Sequence, residues 1–208
     1  MTTGLNCGCT DFITAYAAQL PTSAGGPGRP DNEGVNGQTA AQLAASLDAG
    51  QLRTNLARAN IVIVTIGAND LTPLISQWSA GRCGTTCGTS ATPAVGRAVG
   101  SVLSAISDEA APGARVLVTG YWNVFQDGDV GRQLHGDAFG DWSDQVTRSL
   151  NTVIEGQAAA HNDTYVDIYT PFEGAGDKDP TGLLGTDGDH PNAAGEALIT
   201  RALLSAAT

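Results

Sequence analysis

The 208 residues are 41% hydrophobic, enough for the core of one α/β domain over residues 1–208 and too short for a second full domain. With 21 Asp and Glu against 10 Lys and Arg, the net charge is -11. That excludes the basic footprint of a nucleic-acid binder, and no apolar run reaches bilayer length, so neither nucleic acid nor a transmembrane segment is expected.

In chain order, Cys7 and Cys9 precede a helix predicted over 11–20, capped by Thr10 or Asp11, and a long Gly/Pro/Asn loop fills 21–37. Helical patterns follow over 39–47 and 51–59. The β-branched run 61–66 reads as a buried strand, and Gly67-Ala68-Asn69-Asp70 follows it directly. Pro73 opens a short helix, suited to a first helical position. A cysteine loop comes next, then a long helix over 92–110, a strand over 115–119, a helix over 139–160 and a third strand over 164–168. Residues 174–188 read as a flexible acidic segment that delivers the chain to His190, and a terminal helix runs from Pro191-Asn192 to Leu204. This β-α alternation predicts a parallel sheet covered by helices.

The four cysteines fall in two close pairs. Cys83-Gly84-Thr85-Thr86-Cys87 can turn back on itself, which suits a disulfide and an oxidising compartment. A Cys7 to Cys9 bond would close a small, strained ring, so reduced thiols or a cross-pairing stand beside it as alternatives. The C-x-C and C-x-x-x-C spacings argue against a zinc knuckle. Residues 1–20 carry no signal-peptide pattern; set against disulfide-like cysteines, that leads us to expect a start upstream of Met1 and a secreted protein.

In parallel sheets ligands bind beyond the carboxyl ends of strands, where Asn69 stands. Its side-chain amide can donate to a developing oxyanion, and the Gly37 N–H can approach the same oxygen with no Cβ in the way. The plainer reading makes Asn69 and Asp70 turn and cap residues. His190 follows Asp187 by three positions, so one ring nitrogen can be oriented by the carboxylate while the other takes a serine proton. Asp189, an immediate neighbour, is the poorer orienter, and His135 and His161 lack comparable partners. Asp177, Asp179, Asp187 and Asp189 lack the spacing of a calcium loop, and no metal or cofactor is expected. Trp78, Trp122 and Trp142 are candidates for an acyl pocket or for core packing.

Together these blocks resemble the SGNH (GDSL-type) hydrolases. Met1-Thr2-Thr3-Gly4 is similar to the tail of the family's first block, Gly37 to its second, Gly67 to Asp70 to its third, and Asp187 to His190 to its last. The resemblance implies a three-layer α/β/α flavodoxin-like domain that hydrolyses a small-molecule or polymeric ester through a Ser-His-Asp triad. His190 would be the base and Asp187 its orienter, with Gly37 and Asn69 in the oxyanion hole. The chain departs from the pattern in one place: no Gly-Asp-Ser occurs in it, nor the first strand that carries that block. The expectation is a chain truncated just after the nucleophile and inactive as written. The alternatives are a noncatalytic ester- or glycan-binding protein on the same scaffold, or an N-terminal Thr2 nucleophile.

Overall fold

The computed structural model describes residues 7–21, 26–84 and 86–206. The Met1-Thr2-Thr3-Gly4 block lies outside the described residues. Three parallel strands, β1 (Ile61–Val64), β2 (Arg115–Thr119) and β3 (Thr164–Val166), pair in the order β1-β2-β3. Ile63 stands beside Leu117, and Leu117 beside Thr164.

Strand alternation assigns the faces. Val62, Val64, Val116, Val118 and Tyr165 belong to one apolar cluster, whereas Ile61, Ile63, Leu117 and Val166 belong to the other. The first face is covered by α2 (Ala40–Asp48), α3 (Arg53–Leu56), α5 (Cys87–Glu109) and α7 (Asp137–His161); the second by α1 (Phe12–Gln19), α8 (Tyr169–Glu173) and α9 (Ala193–Ala206). The sheet is thus the middle of three layers, as the resemblance implied. α4 (Pro73–Ser79) adds Leu74, Ile75 and Trp78 to the first cluster, and α6 (Gly128–His135) packs against α7.

Local chemistry sets the helix starts. The Asp11 carboxylate accepts the Thr14 N–H at 2.9 Å and caps α1. Thr39 and Gln42 form a reciprocal capping box at α2. Small residues decide how closely α5 and α7 approach: a Cβ on Gly96 would lie 3.1 Å from Val153 Cβ, and one on Gly88 would overlap Val146.

Several boundaries differ from the sequence reading. α5 begins at Cys87 rather than 92 and continues through Pro93, whose missing N–H leaves the Thr89 carbonyl to the Thr92 hydroxyl at 3.4 Å. The helix predicted over 51–59 shortens to α3. β1 and β3 are each two residues shorter than predicted, because their last residues leave the ladder for the loops at the strand ends. Neither α6 nor α8 was anticipated: α6 is short, polar and carries two glycines, and α8 is only five residues long. The acidic segment 174–188 is not a loose tether: it holds a 3-10 turn, Pro180–Leu183, and several backbone hydrogen bonds. The cysteines pair as Cys7 with Cys9 and Cys83 with Cys87, Cα atoms 5.1 and 5.3 Å apart. The first pairing is the small ring that the sequence reading left open beside reduced thiols and a cross-pairing.

Candidate active site

The chain leaves β1 through Thr65 and Ile66 and enters a 3-10 turn, Ala68–Leu71. Gly67 makes this turn with φ 123, and a Cβ there would press within 3.2 Å of Val95. The turn reaches back to the segment before α2. Asn69 Nδ2 donates to the Gln38 carbonyl at 3.1 Å, and Asp70 Oδ2 accepts the Ala40 N–H at 2.8 Å. Gly37, at φ 76, stands next to Gln38 with open space where its Cβ would be. Asn69 and the Gly37 segment are thus brought together, and Asn69 keeps a second amide hydrogen for another acceptor. The turn-and-cap reading of Asp70 also holds, because it binds the first N–H of α2.

Asp187 shapes the second half of the site with both oxygens. Oδ1 accepts the backbone N–H of Asp189 and of His190, each at 3.1 Å, and Oδ2 meets His190 Nδ1 at 2.7 Å. With Nδ1–H donating to the carboxylate, the tautomer leaves Nε2 as a proton acceptor. Both side chains are partly open, at 22% for His190 and 27% for Asp187. Asp189 Oδ2 stands 3.8 Å from Nδ1, beyond hydrogen-bond range. Burial raises the Asp189 carboxyl, against the nearby His190.

Three supporting residues escaped the sequence reading. Asn192 Oδ1 accepts from Ala194 and Gly195 and so caps α9, while its amide donates to the Gly182 and Leu184 carbonyls at 3.0 and 2.9 Å. Asn two residues after the His, at a helix start, was a readable cap signal. Tyr121, buried just after β2, has its hydroxyl by the Ala68 N–H, and burial raises that phenol far above its usual range. It also feels the charges of Asp70 and Asp189 and so lies between the two halves of the site. The Asp127 N–H donates to the Gly188 carbonyl at 2.7 Å, tying the His190 loop to the start of α6. No sequence pattern marks these last two.

The tryptophans divide. Trp122 stacks on Phe172 at 4.8 Å and Trp142 on Phe125 at 5.3 Å, both in the core rather than in a pocket wall. Trp78 is half-buried and edges onto Phe139. His135 contacts Gln126 and packs against the Phe139 ring, away from any carboxylate partner.

Set beside known proteins, residues 1–198 match the sequence model of the GDSL-like lipase/acylhydrolase family. The chain belongs to that family. It is a carboxylic ester hydrolase of the SGNH type by descent and by fold. No curated protein matches its sequence. Among solved structures it is similar to the lipase Lip_vut3 from a goat rumen metagenome, with a TM-score of 0.79 and 16% identity over 99% of this chain and 92% of that one. It also resembles TesA, with a TM-score of 0.62 and 17% identity over 99% and 92%. The acetylxylan esterase Axe2 from Geobacillus stearothermophilus gives a TM-score of 0.62 and 18% identity over 95% and 80%. At such identities these neighbours establish the flavodoxin-like SGNH fold. Among the described residues, no helix is long and apolar enough to cross a membrane.

Proposed function

We propose that the chain carries all but the nucleophile of a Ser-His-Asp esterase or lipase. The observation that carries this reading is the His190 Nδ1 to Asp187 Oδ2 hydrogen bond of 2.7 Å, because it fixes the imidazole tautomer that can serve as base. A serine Oγ attacks the ester carbonyl carbon and its proton passes to His190 Nε2. The oxyanion accepts hydrogen bonds from the Asn69 amide and the Gly37 N–H. When the intermediate collapses, the departing alkoxide takes the proton back; water then repeats the sequence on the acyl-enzyme.

The 208 residues hold no Gly-Asp-Ser block, so on this reading they alone turn over no ester. The paired cysteines support secretion. The absence of Gly-Asp-Ser also favours a second reading, a noncatalytic ester- or glycan-binding protein.

Two proteins separate them. The 208-residue chain should show no hydrolysis of short p-nitrophenyl esters that His190→Ala abolishes. A version with a family-like strand ending in Gly-Asp-Ser ahead of Met1 should gain that activity and be labelled by a serine-directed phosphonate. A strong rate from the first that depends on His190 would overturn the missing-nucleophile reading. A folded second protein that neither reacts nor labels would establish the binding module.

A further inference from the structure

The His190 loop is tied to the start of α6 by a backbone hydrogen bond, Asp127 N–H to Gly188 O at 2.7 Å, at a tightly packed place. Gly188 has φ 67, and a Cβ on it would come within 2.5 Å of Val130 Cβ on α6. Asp127 itself is fixed by its side chain. Its oxygens accept from Asn123 Nδ2 at 2.7 Å and from the Gly128 N–H at 2.6 Å. Asn123 is buried and accepts in turn from Ser143 and from Thr147, both on α7.

The Glu173 carboxyl, only 7% exposed at the end of α8, feels the charge of the Asp127 carboxyl, and its Oε1 is buried with no hydrogen-bond partner among the described residues. Two carboxyl groups can hydrogen-bond only if they share a proton. We propose that Glu173, through a proton-sharing hydrogen bond to Asp127, is a positioning residue that holds the His190 loop in register with Asp187. The idea rests on Asp187 and His190 being the catalytic pair and adds the device that keeps them aligned.

The surroundings decide which group keeps the proton. Burial, first, and then the charges of Asp127 before α6, Asp144 on α7 and Asp179 before the 3-10 turn push Glu173 up to about 8. Arg148 of α7 bonds to Asp144 at 2.8 Å, and Tyr169 on α8 donates to the same carboxylate. Asp179 is paired with Arg132 of α6 at 2.7 Å. α9 meets α8 through Gly195 against the Phe172 ring. Arg132 and Arg148 thus give their hydrogen bonds to Asp179 and Asp144; Arg148 also feels the Glu173 charge, but among the described residues no cation is hydrogen-bonded to Glu173 or Asp127, which leaves that pair to a proton. Ionising the buried Glu173 would set its charge against the partly buried carboxylate of Asp127, drive Asp127 from its place and loosen its hold on Gly188.

Proton NMR of the intact chain tests this without turnover, by following the far-downfield resonance of the His190 Nδ1–H held by Asp187. In the wild-type protein the resonance should be present near neutral pH and lost as the pH rises past about 8. Glu173→Gln, whose amide can donate to Asp127 at any pH, should retain it well above that point. Asp127→Ala should lack it throughout. Base-catalysed exchange acts on both proteins alike, so the difference between wild type and Glu173→Gln is the readout, even if Asp127→Ala fails to fold. Parallel loss in wild type and Glu173→Gln, or no pH response in either, overturns the positioning role while leaving the catalytic pair intact. If the wild-type protein lacks the resonance at every pH, as the control Asp187→Asn must, the catalytic pair itself is refuted.

Discussion

The two halves of the site are built differently. The Asn69 half is made of two segments, a strand end with its 3-10 turn and the stretch before α2, joined directly by two side chains that reach back 30 and 31 residues. The His190 half has a local kernel, the Asp187 turn, seated on a platform from α6, α8 and α9 whose parts are distant in sequence. The first is therefore closed by its own side-chain bonds, whereas the second also depends on what packs beneath its loop. This difference can be broken experimentally.

The largest effects should be catalytic and should weight the His190 half. In protein carrying the restored Gly-Asp-Ser segment, His190→Ala should lower kcat/KM on the order of ten-thousandfold or more, since removal of the base disables the triad. Asn69→Ala should cost on the order of a hundred- to a thousandfold, the usual loss for one oxyanion donor. Steady-state kinetics on p-nitrophenyl esters measure both. If Asn69→Ala proved the more damaging, the ranking of the two halves would be reversed.

Next come the two glycines, one in each half and both at positive φ. Gly37→Ala meets only open space and should cost about 1–2 kcal/mol of backbone strain. Gly188→Ala adds the overlap with Val130, so roughly 2–5 kcal/mol is expected in urea unfolding. Equal costs would mean that the loop is not seated on α6 as tightly as the geometry indicates.

How far the sequence could be read follows the same division. Interactions a few residues apart leave a spacing in the chain: the Asp11 cap, the Thr39 and Gln42 box, and Asp187 three before His190 were all visible. The alternation of Val and Ile in β1 and β2 made the parallel sheet legible. Tyr121, Asp127 and Glu173 left no such mark, because what they do depends on which loops the fold brings together. A short apolar or acidic stretch has the same appearance whether it is solvated or packed, so α8 and the order within 174–188 were missed. Two of the three tryptophans proved to be core for a related reason: composition reports aromatic mass, not its orientation.

A smaller effect tests the Asn69 half by itself. Asp70→Ala removes a carboxylate bound to the Ala40 N–H at the start of α2 and should destabilise the protein by about 1–2 kcal/mol. Asp70→Asn, which keeps an accepting oxygen, should recover most of that in the same urea titration. No recovery would show that the charge rather than the hydrogen bond matters there.

The last effect is a pH dependence carried beside the His190 half, where α9 meets α1. Glu196, in the first turn of α9, accepts the Phe12 N–H of α1 at 2.8 Å and so joins the two helices. Burial pushes its carboxyl up to about 7, with the Phe12 hydrogen bond opposing. The folded protein therefore holds a proton that the unfolded chain releases near the ordinary Glu value of about 4.5. The stability this proton contributes is fully present below that value and is lost as pH rises towards about 7, after which the group adds no further slope. Asp70 is also raised by burial, from a lower starting value of 3.8. Glu196→Gln keeps an oxygen for the Phe12 N–H and removes the titration, so it should gain on the wild type as pH goes from about 5 to about 8. Glu173 also titrates across this range in both proteins, so the difference between them, measured by urea unfolding at the two pH values, isolates Glu196. A difference that does not change with pH would mean that Glu196 is ionised in the folded protein throughout, and that its carboxylate is solvated rather than sealed between α1 and α9.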